Sequence, residues 1–221
     1  MKTKKILLVS AHILFIIALV LTAVELAAFD RNFYQQQFDE LKVAEVIGVS
    51  GSDLKKATDV LLDYTAGKRG DLDCLVEINE VTTQYYNQRE IDHMADVKKL
   101  YLTAAMVRNI AAIIAIVIFA VLFKEGFLRW QSLKYALIFL VTVILFLGFF
   151  AMTDFEAFWI RFHLLFFSND LWLLDPATDN LINMVPEEFF SAMVTRIFLY
   201  TGGGIAMYSL TNYLARGKHE N

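Results

Sequence analysis

Long apolar runs alternate with polar segments along the chain, and four of these runs are long enough to cross a lipid bilayer. A transmembrane helix takes about 20 apolar residues. The runs extend from about Ile6 to Phe29, from about Leu102 to Phe123, from about Tyr135 to Met152 and from about Phe189 to Leu214. The pattern predicts an all-α polytopic membrane protein with four transmembrane helices.

Two longer polar segments, about 30–100 and 153–188, connect the spans. In the first, Ser50 is a typical N-cap, and apolar residues at helical spacing predict a helix through about Tyr64. A further helix is predicted to begin near Val81 and to continue through His93 into the second span. No stretch of this segment alternates between apolar and polar residues strongly enough to predict a strand. This segment is expected to form a helical cap on the membrane bundle.

The second polar segment begins with aromatic side chains that recur at helical spacing, as in Phe155, Phe158, Trp159 and Phe162. This spacing predicts an amphipathic helix that lies in the membrane–water interface. The stretch RFHLLFFSNDLWLLDPATDNLINMVPEEFF continues the mixture of rings and hydrogen-bonding groups. Polar groups at that depth are costly unless they have partners or a function.

The distribution of charge predicts the orientation of the spans. Hydrophobic residues make up 57% of the chain, an excess that argues against an ordinary soluble domain. Lysine and arginine flank the spans at three places: Lys2, Lys4 and Lys5; Lys124, Arg129 and Lys134; Arg216 and Lys218. Because cytoplasmic loops are enriched in these residues, both termini are predicted to be cytoplasmic and both polar segments extracytoplasmic. We expect one membrane domain over 1–221, with the first span kept as an uncleaved signal-anchor.

Several site classes are excluded by what the sequence lacks. Cys74 is the single cysteine, so an intramolecular disulfide and a site built from several thiolates are impossible. There is no Gly-x-Ser-x-Gly elbow, phosphate-binding loop or dinucleotide fingerprint. Clusters of lysine and arginine of the kind that bind nucleic acid are also absent, so no nucleic-acid partner is predicted.

His93 is the first candidate for chemistry. Glu90 and Asp96 lie three residues to either side of it, so on a helix each neighbours the imidazole. A carboxylate beside a histidine fixes its tautomer and raises its basicity, which suits a general base. The alternative is a solvated acidic helix with an incidental histidine.

His163 is the second candidate, on the interfacial helix, where it could equally be part of a plain anchor. Both histidines are predicted on the same side of the membrane, and imidazole titrates near neutral pH, so the two can exchange protons with one substrate. A zinc site using both histidines with Glu90 or Asp96 is another possibility. The H-E-x-x-H motif is absent, and no metal is predicted.

Four further residues are candidates for substrate binding or support of the site. Asn169 and Asp170 either orient a catalytic side chain or end the interfacial helix. Arg161 lies near His163 and contributes to a polar face. Arg196 lies inside the fourth span, where it is expected to bind an anionic lipid group, stabilise an oxyanion or pair with Glu25.

Two strings carry a family resemblance: EIDHMADVKKL and the long stretch from Arg161 to Phe190 quoted above. They resemble the signatures of the lipoprotein intramolecular transacylase (Lit) family, integral membrane proteins of Gram-positive bacteria. The likeness also includes the four-span layout and the helix near SGSDLKKATDVLLDYTAGKRG, and it extends over nearly the whole chain.

The resemblance implies an acyltransferase of the cell membrane with its site on the extracytoplasmic side. It implies transfer of the sn-2 acyl chain of a diacylglyceryl-cysteine lipoprotein to the cysteine α-amine, which gives a lyso-form lipoprotein. The family's two histidine positions correspond to His93 and His163. No cofactor is expected, and the expected partners are the diacylated lipoprotein and membrane lipids, with the enzyme a monomer. Ser168 and Cys74 lack an activating arrangement, so direct transfer is favoured over an acyl-enzyme.

Two other functions stay open at this point. One is a non-catalytic membrane scaffold or accessory subunit that binds a partner through its outer helices. The other is a membrane metallohydrolase that uses the two histidines as ligands.

Overall fold

The computed structural model describes residues 2–127 and 130–216. Nine helices and one two-stranded sheet are found in these residues. The helices are α1 (Lys2–Ala28), α2 (Arg31–Glu40), α3 (Val43–Ile47), α4 (Gly51–Thr65), α5 (Gln88–Lys124), α6 (Trp130–Thr153), α7 (Phe155–Phe166), α8 (Asn180–Met184) and α9 (Glu187–Arg216). The strands are β1 (Leu75–Ile78) and β2 (Val81–Gln84). Arg129 and Lys218, used above to predict the orientation of the spans, lie outside the described residues.

The four predicted spans are confirmed as the four long helices α1, α5, α6 and α9, each apolar enough to cross a membrane. Their large apolar side chains are widely exposed, as for Phe149 at 69% and Met152 at 89%, which suits a lipid surround. The protein is therefore a multi-pass membrane protein. Helix α5 is much longer than its predicted span, because its polar first turns continue the same helix out of the apolar run.

The contacts of the chain divide it into two compact units. The first takes residues up to Leu26, Ala104–Asp154 and the part of α9 from Val194 onward. Within it, Ile16 of α1 packs against Leu133 and Ala136 of α6. His12 Nδ1 lies 2.6 Å from the Tyr208 hydroxyl, which ties α1 to α9.

The second unit consists of Ala27–Thr103 and Phe155–Met193, which together contain most of the two predicted outer segments. Its core includes an aromatic cluster in which Phe189 contacts three rings of α2: Phe33, Tyr34 and Phe38. Tyr86 donates a hydrogen bond to the Ala57 carbonyl of α4 at 2.9 Å. The apolar residues of α4 at helical spacing, among them Leu54 and Leu61, are also buried.

The predicted helix in the first outer segment is confirmed. Ser50 Oγ accepts a hydrogen bond from the Asp53 N–H at 3.0 Å, as an N-cap does. The helix ends at Thr65, and Gly67 follows with a φ of 75°. A glycine in the left-handed region just beyond a helix ends it at little steric cost.

The predicted helix start near Val81 is wrong, and so is the absence of strands. β1 and β2 form an antiparallel hairpin in which Leu75 pairs with Gln84 and Ile78 with Val81. Asn79 and Glu80 take positive φ at its turn, the geometry of tight hairpins. The helix begins only at Gln88, because Asn87 and Glu90 cap its first turn.

Candidate active site

His93 on α5 and His163 on α7 lie together in the second unit. Their ring centroids are 6.1 Å apart, with the ring planes tilted by 33°. Only 8% of His93 and 6% of His163 is exposed. The structure therefore brings two buried imidazoles from separate segments of the sequence within reach of one small group.

One hydrogen bond fixes the tautomer of His163. Its Nδ1 lies 2.8 Å from the Trp159 carbonyl oxygen, one turn earlier on α7. A carbonyl oxygen only accepts, so Nδ1 must carry the proton and donate it. When the ring is neutral, Nε2 then keeps a free lone pair and can accept a proton.

Aromatic rings surround His163. Trp172 stacks on it at 4.8 Å with an interplanar angle of 26°, and Trp159 approaches edge-on at 4.8 Å. Phe167 lies 5.6 Å from His163 and 5.5 Å from His93, so it contacts both rings. Burial among these groups lowers the pKa of His163, and the hydrogen bond to Trp159 opposes part of that effect.

His93 differs from His163 because its Nδ1 is unbonded. This atom is buried, and no described residue gives it a hydrogen-bond partner. Buried polar atoms are almost always bonded, and each exception requires an explanation such as a ligand or a catalytic role.

Glu90 is completely buried, but its carboxylate does not bond to His93. One oxygen accepts from the Asn87 N–H at 2.7 Å, while Asn87 Oδ1 accepts from the Glu90 N–H at 3.0 Å. This reciprocal pair is a capping box at the start of α5. The other oxygen accepts from the Leu181 N–H at the start of α8. Glu90 therefore joins α5 to the segment that follows α7.

Asp96 and Asn169 are brought together. The Asn169 side-chain amide donates to Asp96 Oδ2 at 2.7 Å. The neighbouring Asp170 is held by Arg89, which donates to its carbonyl oxygen and has a guanidinium nitrogen 3.9 Å from its carboxylate. Both residues thus attach the segment after α7 to α5.

The two arginines among the candidates belong to different units. Arg161 is exposed on α7, and within the described part of the chain its side chain forms no hydrogen bond or ion pair. Arg196 belongs to the first unit, where its Nε lies 2.8 Å from the Tyr200 hydroxyl. In that unit Glu25 forms an ion pair with Arg108.

The two possible nucleophiles show no activation. Cys74 is 2% exposed, and burial raises the pKa of its thiol, which leaves it a poor nucleophile. Ser168 is exposed, and among the described residues its hydroxyl is not hydrogen-bonded to either imidazole.

A metal centre is not assembled from the described residues. Among 2–127 and 130–216, no three histidine, cysteine or carboxylate side chains lie close enough to hold an ion. The zinc site weighed above needs Glu90 or Asp96 beside the histidines, and both carboxylates bond N–H groups instead.

Four residues that hold the histidine-bearing segments together or orient His163 were not identified from the sequence: Asn87, Arg89, Trp159 and Trp172. A signal for Asn87 was present, since Asn-x-x-Glu is a capping-box pattern at a helix start. The roles of Trp159 and Trp172 had no comparable signal, because their contacts with His163 depend on the fold.

Comparison with solved structures supports the fold. The structure of the membrane integral lipoprotein intramolecular transacylase Lit from Bacillus cereus is similar with a TM-score of 0.85, over 100% of this chain and 99% of that chain at 24% identity. Two structures of that protein with a histidine replaced, by arginine and by alanine, are similar with TM-scores of 0.80. They cover 99% and 100% of this chain and 95% and 97% of theirs, also at 24% identity.

Comparison by sequence identifies the family. Among curated proteins, no sequence matches the chain. The family model described as lipoprotein intramolecular transacylase Lit matches residues 9–190, which is well over half of the chain and includes both histidines. The resemblance of the two sequence strings is thereby confirmed. The chain belongs to the Lit family of membrane-integral lipoprotein intramolecular transacylases, which are named for acyl transfer.

Proposed function

We propose that this protein moves the sn-2 acyl chain of a diacylglyceryl-cysteine lipoprotein to the α-amine of the same cysteine, by histidine acid/base catalysis. In this proposal the reaction takes place at the extracytoplasmic membrane–water interface of the cell membrane. The observation that carries the proposal is the pair of buried imidazoles 6.1 Å apart, in a chain of the Lit family.

The reaction balances without cofactor or water. The amine nitrogen attacks the ester carbonyl, a C–N bond forms, the C–O bond to glycerol breaks, and the amine proton ends on the glycerol oxygen. Donor and acceptor belong to one molecule, so the enzyme's main contribution is to align them and to move one proton.

His163 is the base in this scheme. Its Nδ1 is engaged with the Trp159 carbonyl, so Nε2 is the nitrogen that accepts the amine proton. The lowered pKa of His163 keeps the ring neutral, and therefore able to act as a base, over the physiological pH range.

His93 is the acid. Its unbonded, buried Nδ1 is available to donate to the departing glycerol oxygen. The proton that His163 has taken from the amine passes to the His93 ring, which gives a proton from Nδ1 to the departing oxygen, so both rings are neutral after one cycle. Two imidazoles close together do not both carry charge readily, which favours passing a single proton between them.

The test is an assay of purified protein with one synthetic diacylated lipopeptide, analysed by mass spectrometry. Wild-type protein should give the N-acylated lyso-form, and His93→Gln and His163→Gln should each reduce the rate by about a hundredfold or more. His12→Gln is the matched control, since that histidine belongs to the other unit and should retain activity.

Two further measurements sharpen the assay. In a mixture of two lipopeptides, one with deuterated acyl chains, the label should stay on its own peptide, and exchange between peptides would contradict intramolecular transfer. Activity should also persist in chelator; complete loss that added zinc restores would favour the metallohydrolase. Full activity of His163→Gln would refute the catalytic assignment.

A further inference from the structure

We infer that Trp172, fixed by Asn169 and Asp96, is a positioning residue for His163: its indole covers the imidazole, holds the ring plane and stabilises its charge when it takes a proton. This inference rests on the proposed role of His163 as the base. Trp172 was not among the residues singled out from the sequence.

The stack between the two rings is the first observation. The Trp172 and His163 centroids are 4.8 Å apart and the planes differ by only 26°, so the indole lies over the face of the imidazole. A cation is attracted to the face of an aromatic ring, most strongly to that of tryptophan. An imidazolium formed at His163 would meet this face, whereas the surrounding burial opposes the charge.

The second observation is how Trp172 is held. Its Nε1 donates to the Asn169 carbonyl oxygen at 3.0 Å, and the Asn169 side-chain amide donates to Asp96 at 2.7 Å. The Leu171 N–H also donates to Asn169 Oδ1, at 3.2 Å. Asn169 thus connects α5 on one side with the indole on the other.

The third observation is the position of these anchors on α5. Asp96 lies three residues after His93, and Arg89 lies four residues before it, so both share a helix face with His93. Arg89 holds Asp170, the residue next to Asn169. A closed path of contacts therefore runs from His93 through Asp96, Asn169 and Trp172 to His163, and back across the 6.1 Å between the imidazoles.

The charged groups around the pair are few. α5 contributes Arg89 and Asp96 beside His93, and the segment after α7 contributes Asp170. From α9 the contact is apolar, because Phe190 packs on Trp159 at 4.2 Å. No carboxylate hydrogen-bonds to His163 among the described residues, so the indole face adds to the Trp159 carbonyl in favouring the protonated ring.

The inference is tested by following the titration of His163 with nitrogen-15 NMR in detergent-solubilised protein, without reference to activity. In Trp172→Leu the midpoint should move to lower pH, because the imidazolium loses its aromatic partner. In Trp172→Phe, which keeps a ring but loses the N–H, the shift should be smaller. Asp96→Ala should also move the His163 midpoint to lower pH, because it loosens the stack. Asp92→Ala, an exposed change on the same helix, should leave the midpoint unchanged.

Activity gives a second readout. A base must be neutral, so activity rises with pH through the titration of His163, and that rise should move to lower pH in Trp172→Leu. The maximal rate should fall by about tenfold to a hundredfold as the ring loses its alignment. A purely structural role would lower the rate and leave the pH dependence in place.

The outcomes are distinct from those of the proposed function. An unchanged His163 titration in Trp172→Leu overturns the inference, even if His163→Gln is inactive. Full activity of His163→Gln overturns the proposed function, whatever the titration shows. If Trp172→Leu does not fold, Asp96→Ala decides: a titration equal to that of Asp92→Ala overturns the inference.

Discussion

At His163, a single backbone carbonyl decides which ring nitrogen is chemically useful. The Trp159 oxygen lies one helical turn before the imidazole and accepts from Nδ1. The histidine is thus oriented by its own helix, without the carboxylate that the sequence suggested for His93. This arrangement leaves Nε2 with the free lone pair of the neutral ring, and in the proposed reaction that nitrogen is the base.

The tautomer and titration of His163 are directly measurable. Nitrogen-15 spectra of the wild-type protein near neutral pH should show Nδ1 protonated and Nε2 unprotonated. On acidification the ring should become protonated only below the ordinary histidine pKa, because desolvation lowers the pKa of this group. A neutral ring that carries its proton on Nε2, or a midpoint above the ordinary value, would contradict this account.

Glu90 shows how a carboxyl group can be buried for structural reasons. Its side chain is 0% exposed, and its oxygens accept N–H groups from Asn87 and Leu181. These hydrogen bonds to backbone amides offset part of the hydration that the carboxyl group loses on burial. The carboxylate therefore holds the first turn of α5 and the start of α8 together, two elements that are distant in sequence.

Glu90→Gln should destabilise the fold by about 1 to 3 kcal/mol, because the glutamine amide group would face an N–H donor and leave it unsatisfied. Cys74 offers a reporter for this measurement, since it is the single cysteine and is 2% exposed. Thermal unfolding followed with a thiol-reactive fluorogenic dye should start at a lower temperature. Glu77→Gln, an exposed change on β1, is the control, and equal unfolding of the two variants would refute this role.

At the scale of elements, the long helices could be predicted from the sequence and the short hairpin could not. Runs of about 20 apolar residues have few alternative structures, so the spans were predicted to within a few residues, apart from the polar start of α5. β1 and β2 have four residues each, β1 buries only Val76 and β2 is fully exposed, so the hairpin has too few buried positions to give a clear alternating pattern. The same limit applies to the site: the two histidines could be identified, but the roles of Trp172 and Arg89 depend on two long-range contacts, Asn169 with Asp96 and Arg89 with Asp170.

The hairpin is attached to α3 at Gly48, and this position is sensitive to substitution. Gly48 has a φ of 79°, and the Asn79 N–H donates to its carbonyl at 2.9 Å. In Gly48→Ala the new methyl group would collide with the Asn79 side chain, and the left-handed backbone alone costs about 1 to 2 kcal/mol. The dye assay on Cys74 should therefore report a clearly lower unfolding temperature.

Gly51→Ala provides the matched control for that substitution. Gly51 begins α4, its φ is not in the left-handed region, and an added methyl group would meet nothing within 4 Å. Its unfolding temperature should be unchanged or slightly higher, since alanine restricts the unfolded chain. If the two variants unfold alike, the close approach of Gly48 to the hairpin is not important for stability.

At the scale of the whole molecule, the two polar segments predicted to be extracytoplasmic fold mostly into one unit. Both histidines belong to it, although they come from opposite sides of the α6 span in the sequence. In the other unit, Lys4 near the start of α1 lies 3.1 Å from Glu125 just after α5, so these two ends are neighbours. A basic N-terminus and a basic loop at one end of the spans are what the positive-inside rule expects of a cytoplasmic face.

This orientation is tested with single cysteines in a Cys74→Ala background, labelled in intact cells by a membrane-impermeant maleimide. Glu77→Cys on β1 and Asp175→Cys after α7 are exposed positions of the second unit, which is predicted to be extracytoplasmic, and should react without permeabilisation. Glu125→Cys should react only once the membrane is opened, because the loop after α5 is predicted to face the cytoplasm. The reverse labelling pattern would place both imidazoles on the cytoplasmic side. A lipoprotein whose diacylglyceryl cysteine is presented at the outer surface would then not reach them.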